Sequence, residues 1–328
     1  MKKTLATPIV LLALFVNNIS IFGQAISADP EIINELINRT LIVEQLEPDE
    51  EIVASFDKRI AKAKKQVLVD KYAAEKEEYL LFAEQYNELI SRAASEVLKS
   101  HESIEYKTSS EVKKLREDGS TDYTVLYYSP YTIAISNLHI KSLKYSRIEN
   151  KKTDYSFFLP AIAHRDEAEI MKYGDYKIAL KLMVNHLEGI RTTQKKNYPF
   201  INYAKDQAKL NCEEKAGNVL TIDQQMIQKN QSEEAMSKAF GNSVNLGPTS
   251  ALMDLIENDT DQLVALAIPL SIVTGTSPSG SALNVSTSKI NVIKCLVNAK
   301  TGKILASTGQ KAFAYFNAKD LKKMSSCQ

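Results

Sequence analysis

Two stretches of this chain of 328 residues repeat one pattern of side chains. TDYTVLYYSPYTI begins at Thr121 and TDQLVALAIPLSI begins at Thr260. Counted from the aspartate after each threonine, a valine recurs three positions later, a proline eight and an isoleucine eleven. The recurring pairs are Val125 with Val264, Pro130 with Pro269, and Ile133 with Ile272. A chain that repeats itself is expected to fold as two similar units.

Three further pairs of segments follow the same order in both halves. TLIVEQ (40–45) corresponds to VLTIDQQ (219–225), and SIEYKTSSEVKKL corresponds to SVNLGPTSALMDLI. In the second pair a short strand leads through Thr-Ser into a helix, and Thr108 with Glu111 has the spacing of a capping box. IKSLKYSRI and DYSFFLP correspond to INVIKCLV and KILAST, which the turn Thr301-Gly302 joins into a β-hairpin. Four matches in one order predict an internal duplication.

The segments define the fold class and the parts of the chain. Each copy reads as strand, helix, strand, helix, strand and hairpin, a β-α-β-α-β-β module. Alternating strands and helices predict an α/β fold in which helices pack on a mixed sheet, with right-handed crossovers. The predicted parts are a signal peptide (1–25), a first α/β module (26–165), a helical connector (166–215) and a second α/β module (216–328).

A long charged insertion (48–99) distinguishes the first module from the second. Pro48 followed by three acids is typical of a first helical turn. Later side chains recur every three or four residues and form one apolar stripe. These are Phe82, Tyr86, Leu89, Ala93 and Val97. The insertion is predicted to be a helix or a helical pair. Its Lys and Glu side chains form either a solvated face, the more frequent use of such a pattern, or a partner-binding face.

The N-terminal segment MKKTLATPIVLLALFVNNISIFGQA has the three parts of a secretory signal. Two lysines precede an apolar stretch from Leu5 to Val16 that is too short to cross a bilayer, and small residues follow at Gly23 and Ala25. No cysteine before Cys212 could carry a lipid, and no later stretch is apolar enough to span a membrane. The sequence therefore predicts a soluble exported protein, periplasmic or secreted, without membrane insertion.

Charge and cysteine content exclude some classes of protein. The chain has 41 basic and 40 acidic residues, a balance that gives no electrostatic attraction to nucleic acid. Three cysteines are too few for a disulfide scaffold. Cys295 lies in an apolar strand and is predicted to be a buried thiol. Cys212 and Cys327 are able to pair in an oxidising compartment, but nothing in the sequence requires it.

The sequence contains no motif of a metal, cofactor or catalytic site. The four histidines (His101, His139, His164 and His186) lack metal-ligand spacing, and no nucleophile elbow or phosphate-binding loop occurs. The cluster 164–167, HRDE, is either a base beside carboxylates or a polar turn before a helix, and we favour the turn. The stretch TGTSPSGSALNVSTS (274–288) is either an anion- or peptide-binding loop or a mobile connection between strands, and we favour the connection. We predict no catalytic residue, no metal site and no cofactor.

Tyrosines are concentrated in the later strands of the first copy. The second copy has other residues at the equivalents of the first four. Tyrosine joins a large apolar ring to a polar tip, which suits half-buried sheet faces and interfaces. Core packing against the long helices is the expected use of most of them, but a copy-specific aromatic face is also a candidate binding surface. The candidate residues are Tyr123, Tyr127, Tyr128, Tyr131, Tyr145 and Tyr155.

The second copy, with its final hairpin VNAKTGKILA, resembles the α/β domain of envelope proteins related to the TolB amino-terminal domain and CsgG. The resemblance covers residues 218–318 and, through the repeat, extends to 38–160. It implies an α/β module in an exported protein. The chain lacks the blade repeats of the TolB propeller and the lipidated cysteine of CsgG, so neither a propeller nor a translocation pore is implied.

These observations favour a non-catalytic exported protein, a binding or assembly module of the bacterial cell envelope whose partner is a protein or a peptide. The alternative is a hydrolytic enzyme whose site is assembled from dispersed residues. A structural subunit of an envelope assembly is a variant of the first hypothesis. The sequence leaves the oligomeric state open.

Overall fold

The computed structural model describes residues 20–23, 29–133, 138–150, 153–160, 171–278, 284–312 and 314–327. It is a mixed α/β protein built on two sheets. The strands are β1 (Ser20–Gly23), β2 (Thr40–Gln45), β3 (Ile104–Thr108), β4 (Tyr123–Ile133), β5 (Leu138–Arg147), β6 (Tyr155–Phe158), β7 (Leu220–Asp223), β8 (Val244–Gly247), β9 (Leu263–Pro278), β10 (Asn284–Asn298) and β11 (Ile304–Ser307). The helices are α1 (Pro30–Asn38), α2 (Glu50–Lys62), α3 (Gln66–Val97), α4 (Ser109–Glu117), α5 (Tyr173–Thr193), α6 (Phe200–Leu210), α7 (Glu233–Phe240), α8 (Thr249–Glu257) and α9 (Ala318–Ser325).

The two sheets have the same strand order and the same strand directions. The first sheet runs β3-β2-β4-β5-β6 and the second runs β8-β7-β9-β10-β11, with β1 added beside β9. In each sheet the first three strands are parallel and the last three are antiparallel. Each sheet is therefore mixed, as predicted, and ends in the predicted hairpin.

The register of the two sheets also corresponds. Leu41 lies opposite Thr124 in the first sheet, and Leu220 lies opposite Leu263 in the second. The amides of Leu41 and Leu220 each donate a 3.0 Å hydrogen bond to the serine carbonyl before the neighbouring strand. At the far edge, Tyr145 opposite Tyr155 corresponds to Leu296 opposite Ala306. The segments that match in the sequence therefore also occupy matching positions in the two sheets.

Helix α5 lies between the two sheets and contributes nine residues to the central apolar core. Thirteen of its residues are buried, because it contacts structure on every side. The same apolar cluster includes Leu126 and Phe157 of the first sheet and Val264 and Ile293 of the second. Helices α7 and α9 cover the outer face of the second sheet, and α4 packs on the outer face of the first. The connector is therefore a packed central helix.

The hairpin between β10 and β11 is held against α5 by its turn. The Lys181 ammonium donates to the carbonyl of Ala299 at 2.9 Å, and the Asn185 amide donates to the carbonyl of Thr301 at 3.0 Å. Gly302 has φ +70, and a Cβ added there would lie 2.7 Å from Cβ of Lys181. Glycine is needed at this position both for the left-handed backbone and for the close approach to α5.

The cysteines divide into a bonded pair and a buried thiol. Cys212 and Cys327 form a disulfide that closes 115 residues of chain, with their Cα atoms 5.4 Å apart. It joins the segment after α6 to the segment after α9. Nearby, the buried Lys215 ammonium donates to the carbonyl of Met324 at 2.7 Å, a favourable contact for a cation at a helix C-terminus. Cys295 is buried and free, which confirms the prediction for that residue.

The stretch 274–288 differs from its prediction as a connecting loop. Residues 274–278 of β9 and 284–288 of β10 continue the antiparallel ladder, so most of the stretch is strand. Threonine and valine favour extended backbone, and the ladder needs only backbone groups. The prediction weighed glycines and serines as loop residues and missed this.

The two prolines of the repeat lie where a lost backbone donor is tolerated. Pro269 is opposite Val292, beside a register shift between Asn291 and Val292. Pro130 lies beyond Leu126, the last residue of β4 that pairs with β2. Both positions agree with the expectation of a bulge or an edge. The cluster 164–167 lies outside the described residues.

Candidate interaction surfaces

Helices α2 and α3 form a two-helix arm, residues 50–81, that extends from the first sheet. No side chain between positions 50 and 81 is buried, whereas α3 is buried repeatedly from Ala83 onward. The two helices contact each other through Phe56 and Tyr79, whose ring centroids are 6.1 Å apart, and through an ion pair of 2.6 Å between Asp57 and Lys76. The insertion is therefore a helical pair, half anchored in the core and half free of it.

The base of the arm is closed by hydrogen bonds. The Asn87 side chain accepts from the amide of Leu46 at 2.7 Å and donates to its carbonyl at 2.9 Å. The amide of Asp49 donates to the Tyr79 hydroxyl at 2.9 Å. The segment that leads into α2 and the part of α3 that leaves the arm are thus held side by side.

The arm carries most of the large apolar side chains that the described part of the protein exposes. Five of eight such residues lie on it, and their exposed fractions run from 37% to 77%. They are Ile52, Val67, Leu68, Leu80 and Leu81. Exposed apolar groups concentrated on one element are typical of an interaction surface.

Charge along the arm is sharply divided. Residues 58–71, which include the tip, have six basic side chains and one acidic side chain. The root (47–57 and 72–88) has ten acidic side chains and one basic. All six basic groups of the tip are exposed. The sequence shows that this insertion is charged, but the division of its charge becomes visible only when the fold defines a tip and a root.

The six candidate tyrosines do not form one surface. Tyr145 and Tyr155 are neighbours on β5 and β6 and are buried on the inner face of the first sheet. Tyr128 is on the same face and packs against Tyr86 of α3, with ring centroids 5.3 Å apart. Tyr123 and Tyr127 are half-buried beside the α4 cluster. Tyr131 belongs to β4, opposite Ile140, and its side chain lies outside the described set.

Each of the two buried tyrosines, Tyr145 and Tyr155, is hydrogen-bonded to a histidine. The Tyr155 hydroxyl donates to Nδ1 of His186 at 2.9 Å, and Nε2 of His186 donates to the carbonyl of Tyr198 at 2.8 Å. Tyr145 and His101 repeat this arrangement, and Nδ1 of His101 donates to the carbonyl of Arg39 at 3.2 Å. Burial lowers the pKa of His186 to about 4 and lowers the pKa of His101. Burial thus favours the neutral imidazole at both positions, and both side chains join elements of the core by hydrogen bonds.

We predict that stability falls by about 2 kcal/mol between pH 7 and pH 5 because of His186. The unfolded imidazole binds a proton near its ordinary pKa of 6.5, whereas the folded one does so only at about 4. The unfolded state therefore binds more protons in this window, and acid favours it. Urea denaturation at stepped pH measures the slope.

The control for this prediction is His186→Gln, which has no titrating group. It lowers stability at every pH but should remove the share of the slope that His186 contributes between pH 7 and pH 5, while His101, whose pKa burial also lowers, keeps its own share. Carboxyls with lowered pKa values, such as those of Asp206 and Asp259, titrate below this window. An unchanged slope in the variant would show that another group is responsible.

A shallow cleft of about 550 Å³ lies where α5 turns into α6. Three lysines border it, but the Lys195 ammonium lies 3.0 Å from Asp206 and the Lys196 ammonium lies 3.4 Å from Asp29. Two of its three cations are thus already paired, and we assign the cleft no ligand. The lining residues are Lys195, Lys196, Asn197, Tyr198, Asn202, Lys205 and Asp206.

The buried carboxylates of the described residues are all engaged by neighbours. Asp223 accepts from Thr249 at 2.6 Å, Asp154 lies 3.2 Å from Arg147, and Asp175 accepts from the amide of Lys172 at 2.8 Å. The fourth buried carboxylate, Asp320, is 2.6 Å from the ammonium of Lys294. Across the described ranges, no three His, Cys, Asp or Glu side chains are grouped so as to hold a metal ion. Within the same part of the chain, no helix has both the length and the apolar character required to cross a bilayer.

Comparison with protein families, with curated proteins and with solved structures finds no match to this chain. Function must therefore be inferred from the geometry of the molecule.

Proposed function

We propose that this is a non-catalytic exported protein, a binding or assembly module of the bacterial cell envelope, and that the arm is its partner-binding element. The observation that carries the proposal is the arm itself. It exposes a concentrated set of apolar side chains and a strong charge division, and it contributes no buried side chain to the fold. A two-helix element without a core of its own has an unfinished apolar surface, which a partner completes.

We further infer that the two halves descend from one duplicated module. The common strand order and register support this inference, and so do the turns after α4 and α8. Gly119 has φ +73 and Asp259 has φ +50, so both turns use a left-handed residue at the same place. On this proposal the first copy gained the arm, and the resemblance to TolB- and CsgG-related modules belongs to the ancestor of both.

The buried carboxylates are all hydrogen-bonded or ion-paired, which favours a binding protein over a hydrolytic enzyme. A general acid or base needs a titrating group directed at a reacting atom. The Lys177 ammonium is 2.9 Å from Asp259 and 3.0 Å from Glu96, so this mixed cluster joins α3, α5 and the α8–β9 turn. The charges of the interior are used to join elements to each other.

Site-specific photo-crosslinking in the native envelope tests the proposed function. A crosslinker at Val67 on the arm is compared with one at Leu210 on α6, because the two side chains are 77% and 76% exposed. We expect discrete adducts from position 67 and none from position 210. No adduct from position 67, together with turnover of small substrates by the purified protein, would overturn the proposal in favour of a hydrolase.

A further inference from the structure

We propose that two copies of this chain associate through their arms, packed antiparallel so that the basic tip of each arm faces the acidic root of the other. The inference rests on the proposed function, in which the arm binds a partner, and it names that partner as a second copy. Three properties of the arm support it: its charge division, the spacing of its apolar residues and its lack of buried side chains.

The charge division is self-complementary in one orientation only. Two parallel arms would place six basic side chains beside six others, and the acidic roots side by side. Two antiparallel arms place each basic tip beside an acidic root, which favours association and fixes its direction. Lys71 of the tip pairs with Glu75 of the root at 3.7 Å. The lysines at the end of the arm are too far from the acids of its base to be neutralised within one arm, since residues 66–81 span about 24 Å of helix and the Debye length is about 8 Å.

The apolar residues of the outer surface of α3 have the symmetry that such a pair requires. Val67, Ala74 and Leu81 recur every seven residues, so they lie on one side of the helix. All three are exposed. A two-fold axis through Ala74 places Val67 of one arm against Leu81 of the other, and the reverse. The small side chain at the axis allows the two helices to approach closely.

The association also explains why the arm is folded without a core. Two helices alone bury only one face of each other, and the side chains between α2 and α3 remain half-exposed. Association through the outer surface of α3 gives this helix a second packed side. A single interaction thus uses both the tip residue Val67 and the root residue Leu81. An acidic protein or an anionic membrane would use the tip alone.

Charge reversal tests the orientation. The tip variant is K62E/K64E/K65E and the root variant is E77K/E78K/E84K, and all six positions are exposed. Sedimentation at about 50 µM is expected to give a dimer for the wild-type chain, whose tip and root carry net charges of +5 and −9. The tip variant, whose tip has a net charge of −1, is expected to be monomeric, and the root variant, whose root has a net charge of −3, is expected to dimerise more weakly than the wild type. An equal mixture of the two variants is expected to form a heterodimer, because the unchanged tip of one arm then faces the unchanged root of the other.

Substitution at the axis tests the packing. Ala74→Trp should weaken dimerisation by at least roughly tenfold, because the indole keeps the helices apart. Ala73→Trp is the matched control, since its side chain is exposed but points about 100° away around the helix. Circular dichroism should show both variants folded, because neither position is buried. Equal dimerisation of the two variants would overturn the proposed axis.

A wild-type chain that is monomeric at about 50 µM, or a tip variant that still dimerises, would overturn self-association. Binding to vesicles rich in phosphatidylglycerol then tests whether the basic tip binds an anionic membrane instead. Vesicle binding by a monomeric chain that the tip variant loses and the root variant keeps would assign the tip to an anionic lipid surface and reject the dimer. Adducts from Val67 to a different protein would likewise reject the dimer while the proposed function stands.

Discussion

Replacing Asp320 by asparagine is expected to lower the free energy of unfolding by about 3–5 kcal/mol, because it leaves a buried ammonium without its counter-charge. Lys294 and Asp320 are both buried, and Nζ of Lys294 lies 2.6 Å from the carboxylate. Burial alone lowers the pKa of Lys294, and Asp320 opposes that effect. The pair fixes α9 on the outer face of the second sheet.

A matched control separates burial from pairing. Asp57 and Lys76 on the arm are also 2.6 Å apart, but the Asp57 side chain is 57% exposed. Asp57→Asn should therefore change stability by at most about 1 kcal/mol. Equal losses in the two variants, measured by urea denaturation, would contradict our account of the buried pair.

Replacing Gly302 by alanine should lower stability by about 2–5 kcal/mol. The left-handed backbone costs about 1–2 kcal/mol with any Cβ, and forcing Cβ against a helix adds about 1–3 kcal/mol. At Gly302 that Cβ would meet Cβ of Lys181 and the Lys181 backbone, which have little freedom to move. The hairpin would then separate from α5 and weaken the contacts at Ala299 and Thr301.

Gly217→Ala is the control for this second prediction. Gly217 has φ +77, but nothing lies within 4 Å of an added Cβ. The variant Gly217→Ala should therefore lower stability only by the cost of a left-handed backbone, about 1–2 kcal/mol. If thermal denaturation gives equal losses for the two variants, close approach to α5 contributes nothing at Gly302.

Local patterns predicted the elements because each pattern has a local physical cause. The capping box at Thr108 forms, with the Glu111 amide donating to the Thr108 hydroxyl at 3.3 Å. The stripe from Phe82 to Val97 packs toward the core, since its spacing matches the helical turn. The succession of strands and helices along each half was accessible in the same way, whereas the order of the strands within each sheet was not predicted.

Contacts between distant segments were not accessible from the sequence. Lys294 interrupts the apolar run INVIKCLV, and strict alternation with Leu296 would have placed it on a buried face. Its partner Asp320 lies in helix α9, so no spacing within the sequence predicts the pair. Gly174 allows α5 to approach α8, where an added Cβ would lie 2.9 Å from the sulfur of Met253. The polarity of the arm likewise depends on where the chain turns back.

The arm is, on this account, an element for binding and not for folding. Replacing residues 50–81 with a short Gly-Ser linker joins Asp49 to Phe82, which is feasible because Leu46 and Asn87 are already hydrogen-bonded. This deletion removes no buried side chain.

The most direct test is to measure thermal unfolding and self-association of the arm-deleted protein side by side with the intact chain. We expect a midpoint within about 5 °C of the intact monomer, together with complete loss of the dimer and of envelope adducts. A variant that no longer folds, or one that folds and still associates as the intact chain does, would contradict the account.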